Sequence, residues 1–228
     1  MRVAVVQFPG SNCDQDALYA LREQIGVDAD YVWHDYDDLI GFDAVFIPGG
    51  FSYGDYLRCG AVAARAPIMS AIKAFAIEGR PIIGVCNGFQ VLCESGVLPG
   101  ALLLNGSELF VCKNVQLQAV NRSSLWTQGV DRVFELPIAH GEGRYICQDS
   151  ELEELRRNDQ IAFLYVDSNG NASDNANPNG SIGNIAGVLN RAGNVLGMMP
   201  HPERATAEIL GGTDGRLILQ GLNLVSAQ

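Results

Sequence analysis

Cys86 lies at the end of a short apolar run, Ile82–Val85, that is typical of a buried strand. Gly84 and Gly88 stand two residues before and two residues after it, which is the spacing of a nucleophile elbow with Cys in place of Ser. In such an elbow the nucleophile adopts a strained turn, and the glycines remove Cβ atoms that would collide. The N–H groups and the dipole of the helix that follows favour a thiolate. The pattern therefore predicts that Cys86 is a nucleophile.

A histidine and a carboxylate follow a second apolar segment, Val195–Met199. His201 and Glu203 are two residues apart, so in an extended chain their side chains point to the same side. A histidine that accepts the thiol proton, with a carboxylate that orients the imidazole, would complete a Cys-His-Glu triad with Cys86.

Donors for an oxyanion are predicted at two backbone positions. The sequence Pro48-Gly49-Gly50 follows the strand-like run Ala44–Ile47, and Gly50 can present its N–H to an oxyanion without steric conflict. The N–H of Asn87, next to the nucleophile, is the natural second donor. Each motif follows a predicted strand, which favours one shared site.

Longer blocks of the sequence resemble known families. Residues Gly84–Gln90 together with His201–Glu203 resemble the triad-type (class I) glutamine amidotransferases. Phe89 stands where many of these proteins have His, but the mechanism does not require His there. Four further blocks resemble the glutaminase subunits of phosphoribosylformylglycinamidine synthases, of purine biosynthesis: Phe51–Ala61, Ala139–Arg144, Asn175–Ser181 and Gly197–Arg204. The resemblance spans nearly the whole chain.

The resemblance implies a fold as well as a reaction. It implies that residues 1–228 form a single type-1 glutamine amidotransferase domain with a flavodoxin-like α/β fold. This fold has a central, mostly parallel sheet with helices on both faces and a smaller antiparallel patch. The alternation of strand-like and helical runs also predicts a parallel sheet. Residues 109–120, and the glycine-containing turn 190–194 between two apolar runs, predict the antiparallel part. Ser11 or Asn12 is predicted to cap the first helix.

The implied reaction is the hydrolysis of glutamine to glutamate and ammonia through a thioester on Cys86. By resemblance, Gln90 helps to hold the amino-acid end of the substrate. The ammonia would supply a large synthetase subunit that uses ATP and Mg²⁺ to convert formylglycinamide ribonucleotide to formylglycinamidine ribonucleotide. A small third subunit is a further expected partner.

Composition limits the other partners. The chain of 228 residues has a formal net charge of −11, which argues against nucleic acid and anionic membrane surfaces. It has no G-x-x-x-x-G-K-[ST] run, so ATP and Mg²⁺ are assigned to the synthetase and no cofactor is predicted in this chain.

The first apolar run is too short for a signal peptide, and no run approaches membrane-spanning length. These features predict a cytoplasmic protein.

The cysteines are predicted to be thiols, as is usual in the cytoplasm. No two of the six have C-x₂₋₄-C spacing, so no metal site is predicted. Apart from Cys86, they are interpreted as packing residues, and Cys59 has no chemical role although it lies in one of the family-like blocks.

Two polar loops are predicted to contact the synthetase. Their candidate residues are His140, Glu142, Arg144, Asn175 and Asn179, where exposed backbone and polar side chains combine. For His140, a solvated turn is the alternative interpretation.

Two other classes of function remain open at this point. A cysteine peptidase could use the same triad, but it would not be expected to carry Gln90 in this motif or the purine-pathway blocks. A non-catalytic binding module of the same fold would be expected to lack Cys86, His201 or Glu203, and all three are present.

Overall fold

The structure is a computed structural model that describes residues 1–225, without the side chain of Val225. Its strands are β1 (Arg2–Gln7), β2 (Asp28–Trp33), β3 (Ala44–Ile47), β4 (Ile82–Val85), β5 (Ala101–Leu103), β6 (Val111–Ala119), β7 (Phe134–His140), β8 (Arg144–Ile146), β9 (Ile161–Val166), β10 (Ile185–Leu189) and β11 (Val195–Met198). Its helices are α1 (Asp14–Tyr19, continued by a π-helical stretch, Ala20–Ile25), α2 (Ile68–Ile77), α3 (Asn87–Glu94), α4 (Asp149–Arg157), α5 (Arg216–Leu219) and α6 (Gly221–Val225).

Nine of these strands form one sheet in the order β2-β1-β3-β4-β11-β10-β9-β6-β7. The strands from β2 to β11 pair in parallel, and those from β11 to β7 pair antiparallel. We call these the parallel half and the antiparallel half. β5 and β8 form a separate antiparallel pair. The predicted α/β fold, with a parallel part and an antiparallel part, is confirmed, and among the described residues the antiparallel part is larger than the small patch that was expected.

The central strands are apolar because both of their faces are covered. Every residue of β3, β4, β10 and β11 is buried. Near-continuous apolar runs of this kind are what parallel strands require when both faces of the sheet are packed. The structure gives β4 the bounds that the sequence predicted.

Three neighbouring strands of the parallel half end at the same edge of the sheet. Ile47 of β3 pairs with Gly84 of β4, and Val85 of β4 pairs with Met198 of β11. The residues that follow these strands therefore emerge side by side. Binding sites of open α/β sheets lie outside such carboxyl ends.

The antiparallel half curls back over this edge. Four strands separate β7 from β4 in the sheet order, yet the Ala139 carbonyl oxygen lies 3.9 Å from the Cys86 Sγ atom. The backbone N–H of His201 donates to the carbonyl of Pro137 at 2.9 Å. The end of β7 thus forms one wall above the ends of β4 and β11.

The start of α1 differs from the prediction. Its N-cap residue is Cys13, and no side chain caps it. The Ser11 hydroxyl instead accepts a hydrogen bond from the backbone N–H of Phe8, which tightens the turn after β1.

Among the described residues, no helix is long and apolar enough to cross a membrane.

Candidate active site

The turn from β4 to α3 has the geometry of a nucleophile elbow. Cys86 is the N-cap residue of α3 and has φ 51° and ψ −107°, a conformation that non-glycine residues rarely adopt. A Cβ atom on Gly88 would overlap the carbonyl oxygen of Ile47, and one on Gly84 would come within 2.6 Å of the Gly88 carbonyl oxygen. The close approach of strand and helix therefore requires both glycines.

His201 and Glu203 lie beside this elbow and are bonded to each other. The Nδ1 atom of His201 is 2.6 Å from the Oε1 atom of Glu203. Both residues are buried, with 1% and 0% of their surface exposed. Within residues 1–225, His201 Nε2 and Glu203 Oε2 have no hydrogen-bond partner. The ring thus has one nitrogen held by a carboxylate and the other free to exchange a proton.

The surroundings of His201 favour the imidazolium. Burial by itself lowers the pKa of His201, but the negative charge of Glu203, and after it the neighbouring side chains of Cys86 and Cys13, raise it well above the usual value. A carboxylate that stabilises imidazolium is the role that triads give to their acid. The structure brings the three predicted triad residues together; their catalytic roles stay a prediction.

The predicted oxyanion donors lie on adjoining segments. Asn87 is the first residue of α3, so its N–H has no acceptor within the helix. Gly50 has φ +145°, and a Cβ atom there would collide with the backbone of residues 10–12. The Asn87 side-chain oxygen accepts the N–H of Ser52 at 3.2 Å, which ties the loop after Gly50 to the elbow. Donation to an oxyanion stays a prediction.

Both the oxygen and the NH₂ group of the Gln90 side-chain amide form hydrogen bonds within the protein. Its Nε2 group donates to the Glu142 carbonyl at 2.6 Å, and its oxygen accepts from the Asn87 amide at 2.9 Å. Gln90 is 5% exposed. In this structure it holds the loop after β7 against the elbow, and its contact with substrate stays a prediction.

Two of the five predicted partner contacts are buried in this structure. His140 and Asn179 are only 3% and 2% exposed, so their side chains cannot present a docking surface. Both lie in a network of amides because β7 and the loop 175–181 fold inward. Asn179 Nδ2 donates to the Gly143 carbonyl at 2.8 Å. Glu142 and Arg144 are half-buried and Asn175 is exposed, so these three remain accessible.

His140 is a buried neutral imidazole. Its Nδ1 atom lies 3.0 Å from the Asn105 side-chain oxygen, and Asn105 Nδ2 donates to the His140 carbonyl at 2.8 Å. Burial, and secondarily the nearby His201, lower the pKa of His140 to about 4. The alternative of a solvated turn is therefore also wrong.

Sequence reasoning missed one residue at the site. Cys13, interpreted from the sequence as a packing residue, places its Sγ atom within 4.8 Å of a His201 nitrogen and of a Glu203 carboxylate oxygen. The signal that could have found it is positional. Cys13 follows β1, the neighbour of β3, so it belongs to the same carboxyl edge of the sheet.

The chain is similar to known proteins along nearly its whole length. Residues 1–211 match the family described as the CobB/CobQ-like glutamine amidotransferase domain. A chain of the PurLQS structure from Thermotoga maritima is 45% identical, with 98% of each chain covered and a TM-score of 0.87.

More distant structures share the fold. A glutamine amidotransferase from Thermotoga maritima is 13% identical, with a TM-score of 0.59 over 100% of this chain and 83% of that one. The glutaminase domain of Trypanosoma brucei CTPS, solved with bound acivicin, is 16% identical, with a TM-score of 0.60 over 100% of this chain and 94% of that one. The match over residues 1–211 and the 45% identity over almost the whole chain place this protein in the family of CobB/CobQ-like glutamine amidotransferase domains.

Proposed function

We propose that this chain is the glutaminase subunit of a phosphoribosylformylglycinamidine synthase. It hydrolyses glutamine to glutamate and ammonia, and the ammonia is used to convert formylglycinamide ribonucleotide to formylglycinamidine ribonucleotide. The observation that carries the proposal is the buried His201–Glu203 pair beside the strained Cys86, in a chain 45% identical to one in PurLQS. The proposal treats residues 1–228 as one amidotransferase domain. It places the protein in the cytoplasm, because the six cysteines are free thiols and thiols stay reduced there.

The chemistry follows from the arrangement of the side chains. The Cys86 thiolate attacks the amide carbon of glutamine, and the N–H groups of Gly50 and Asn87 hold the oxyanion. Losing one such donor typically lowers the rate by about 10²–10³-fold. His201 protonates the departing ammonia through Nε2 and then activates the water that cleaves the thioester. Glu203 keeps Nδ1 occupied, so that Nε2 faces the reaction.

The partner is a synthetase on another polypeptide. The related chain belongs to the PurLQS structure, whose name indicates an assembly of three components. By analogy, a large subunit and a small third subunit join this chain, and the large one supplies ATP and Mg²⁺. Ammonia released into water at neutral pH is protonated and no longer acts as a nucleophile, so its release should be coupled to the synthetase that uses it. The rate of glutamine hydrolysis is therefore expected to be low for the isolated chain and higher when the synthetase is present with its own ligands bound.

The accessible residues of the two polar loops are the proposed contact. Glu142 and Arg144 follow β7, which forms the wall over the elbow, and Asn175 is the exposed candidate of the second loop. Gln90 binds the Glu142 carbonyl, so a partner that moves this loop also acts on the start of α3. Replacing Arg144 and Asn175 together with Ala is expected to weaken association or activation.

Cys86→Ala tests the proposal most directly. In the complex with the synthetase, the variant is expected to lose glutamine-dependent synthesis by about 10³-fold or more, because no other thiol occupies the elbow. Synthesis from added ammonia is expected to continue, since only the ammonia source is lost. Both rates are measured with ATP and formylglycinamide ribonucleotide present.

The matched control is Cys112→Ala, which removes an exposed thiol and is expected to keep both activities. Substantial glutamine hydrolysis by Cys86→Ala would exclude Cys86 as the nucleophile. Equal loss of the glutamine-dependent and ammonia-dependent rates would show a folding or assembly defect. Full glutaminase activity in the isolated chain, unchanged by the synthetase, would contradict the coupling.

A further inference from the structure

Positive side chains collect in one surface groove, although the chain carries a formal net charge of −11. The groove consists of two adjoining cavities, one of about 590 Å³ and one of about 460 Å³. Lys73 of α2 and Ser95, the C-cap residue of α3, line both cavities. Arg58 and Arg65 line the larger cavity, and Arg191 lines the smaller one. We call the two cavities together the basic groove.

Most cations of the basic groove have no anion beside them. Arg65, Lys73 and Arg191 are exposed, and none of them forms an ion pair with a described residue. Arg58 is paired with Glu94 at 2.6 Å, and within residues 1–225 Glu94 is the one acidic side chain that lines the groove. Four cations and one carboxylate leave an excess of three positive charges. Because this excess attracts anions, the groove favours an anionic occupant.

The shape of the basic groove favours an extended occupant over a compact one. Its cations are distributed over two cavities, and apolar side chains line the space between them. Two of these, Leu57 and Ile77, are 83% and 88% exposed. A phosphate site gathers its donors around one group. A peptide segment can instead place successive carboxylates on separate cations and cover the apolar surface with its other side chains.

We propose that the basic groove binds an acidic peptide segment of the synthetase assembly. Asp or Glu side chains of this segment pair with Arg65, Lys73 and Arg191, the arginines through their planar guanidinium groups and the lysine as a point charge. This inference rests on the proposed function, because it takes the synthetase as the partner. It adds a contact to the one that the two polar loops make.

The loop after β3 joins the basic groove to the elbow. Leu57 of this loop lines the groove, while the N–H of Ser52 donates to the Asn87 side-chain oxygen at 3.2 Å. A Cβ atom built on Gly60 would lie 2.8 Å from the backbone nitrogen of Val91, so the loop packs directly on α3. A segment bound in the groove therefore touches a loop that also contacts the start of α3. This gives the synthetase a physical route to the rate of glutamine hydrolysis.

A carbodiimide cross-link in the complex with the synthetase tests the contact. The reagent joins a lysine amine to a carboxylate as an amide and takes up the water that is lost as a urea. The chain has only two lysines, Lys73 in the groove and Lys113 on β6, so Lys113 is an internal control. Peptide mapping is expected to find Lys73 linked to an Asp or Glu of the synthetase and Lys113 unlinked. A complex that forms without a link at Lys73, or with a link at Lys113 alone, would overturn the proposal.

Removal of charge tests the same contact by affinity. Arg65→Gln together with Lys73→Gln is expected to raise the Kd for the synthetase by about tenfold at low salt and by less at high salt. The matched control is Arg156→Gln together with Arg157→Gln. It removes two exposed positive charges from α4, which does not line the groove, and is expected to change the Kd by less than about twofold. Equal effects of the two pairs would overturn the proposal. Both isolated variants are expected to hydrolyse glutamine as the wild type does, which detects a folding defect.

Two further results separate this inference from its alternatives. Binding of inorganic pyrophosphate to the isolated chain, lost in the variant of Arg65 and Lys73, would assign the groove to a phosphate-bearing ligand and overturn the acidic segment. A chain that binds the synthetase and is activated by it, but shows no link at Lys73, would refute this inference alone. A chain that neither binds the synthetase nor is activated by it would refute the proposed function, and with it the partner named here.

Discussion

Two deeply buried histidines, one from each half of the sheet, can be compared directly. His201 follows β11 of the parallel half, and His140 ends β7 of the antiparallel half. Their exposed fractions are nearly equal, at 1% and 3%. The Nδ1 atom of His201 faces the Glu203 carboxylate at 2.6 Å, whereas that of His140 faces the Asn105 amide oxygen at 3.0 Å.

The two rings are driven to opposite charge states. Burial lowers the pKa of both, but beside Glu203 the attraction of an anion outweighs it and the pKa of His201 rises. His140 is hydrogen-bonded to a neutral amide, so burial lowers its pKa, and the positive charge that His201 can carry lowers it further, to about 4. The charge of the bonded partner, more than the depth of burial, therefore assigns acid–base work to one ring and a structural role to the other.

The largest expected difference between the two histidines is in catalysis. His201→Ala is expected to lower glutamine hydrolysis by about 10³–10⁶-fold, because the base of a triad is lost. His140→Asn keeps an amide donor for Asn105 and is expected to change the rate by less than about tenfold. Glutamate release by both variants, in the presence of the synthetase, gives the comparison. Similar losses in the two variants would contradict the division of roles.

Glu203→Gln tests the anion that separates the two environments. The rate is expected to fall by about 10²–10⁴-fold, as when other triads lose the charge of their acid. Since the Glu203 carboxylate raises the pKa of His201, its removal lowers that pKa, and the alkaline limb of the pH–rate profile should move to lower pH. The remaining titratable neighbours of His201, namely Cys86, Cys13, His140 and Asp16, are the same in both proteins. An alkaline limb that did not move would refute this role of Glu203.

Close packing also differs between the two halves. Gly88→Ala would push a methyl group into the Ile47 carbonyl between β3 and α3, and we expect a loss of at least about 1–3 kcal/mol in the free energy of unfolding. Gly141→Ala, in the loop after β7, is the control because the nearest atom to its new Cβ would be 3.9 Å away. Denaturant unfolding measures both variants. Equal stability of the two would contradict the tight strand–helix approach.

The smallest effect is a pH dependence of stability that comes from His140. Its folded pKa of about 4 lies below the value of 6.5 expected in the unfolded chain. Between these values the unfolded state binds the extra proton, so stability is lost as the pH falls from about 6.5 to about 4. From about pH 7.5 to about pH 5 this loss amounts to about 2 kcal/mol for the wild type relative to His140→Asn. Parallel pH curves for the two proteins would show that His140 is not held neutral.

Local patterns were sufficient for the elbow and the parallel strands. The strained turn could be predicted from Gly84, Cys86 and Gly88, because it requires only that two residues close to the cysteine lack a Cβ atom. The bounds of β3 and β4 were also predicted from apolar runs. Helix starts were less predictable, since Ser11 used its hydroxyl within the turn and left Cys13 at the N-cap position.

The family, the fold class and the residues of the proposed triad could be predicted from the sequence, because they depend on short motifs and on the order of strands. The residues that surround that triad could not be predicted in this way, because they depend on how the strands pack in three dimensions. The curl of the antiparallel half brought Ala139 to Cys86, buried His140 and Asn179, and left Glu142 and Arg144 accessible. It was also the packing of β1 against β3 that brought Cys13 to His201. Such contacts join segments that are far apart in the sequence, and their geometry depends on the twist and closure of the whole sheet, which no local pattern contains.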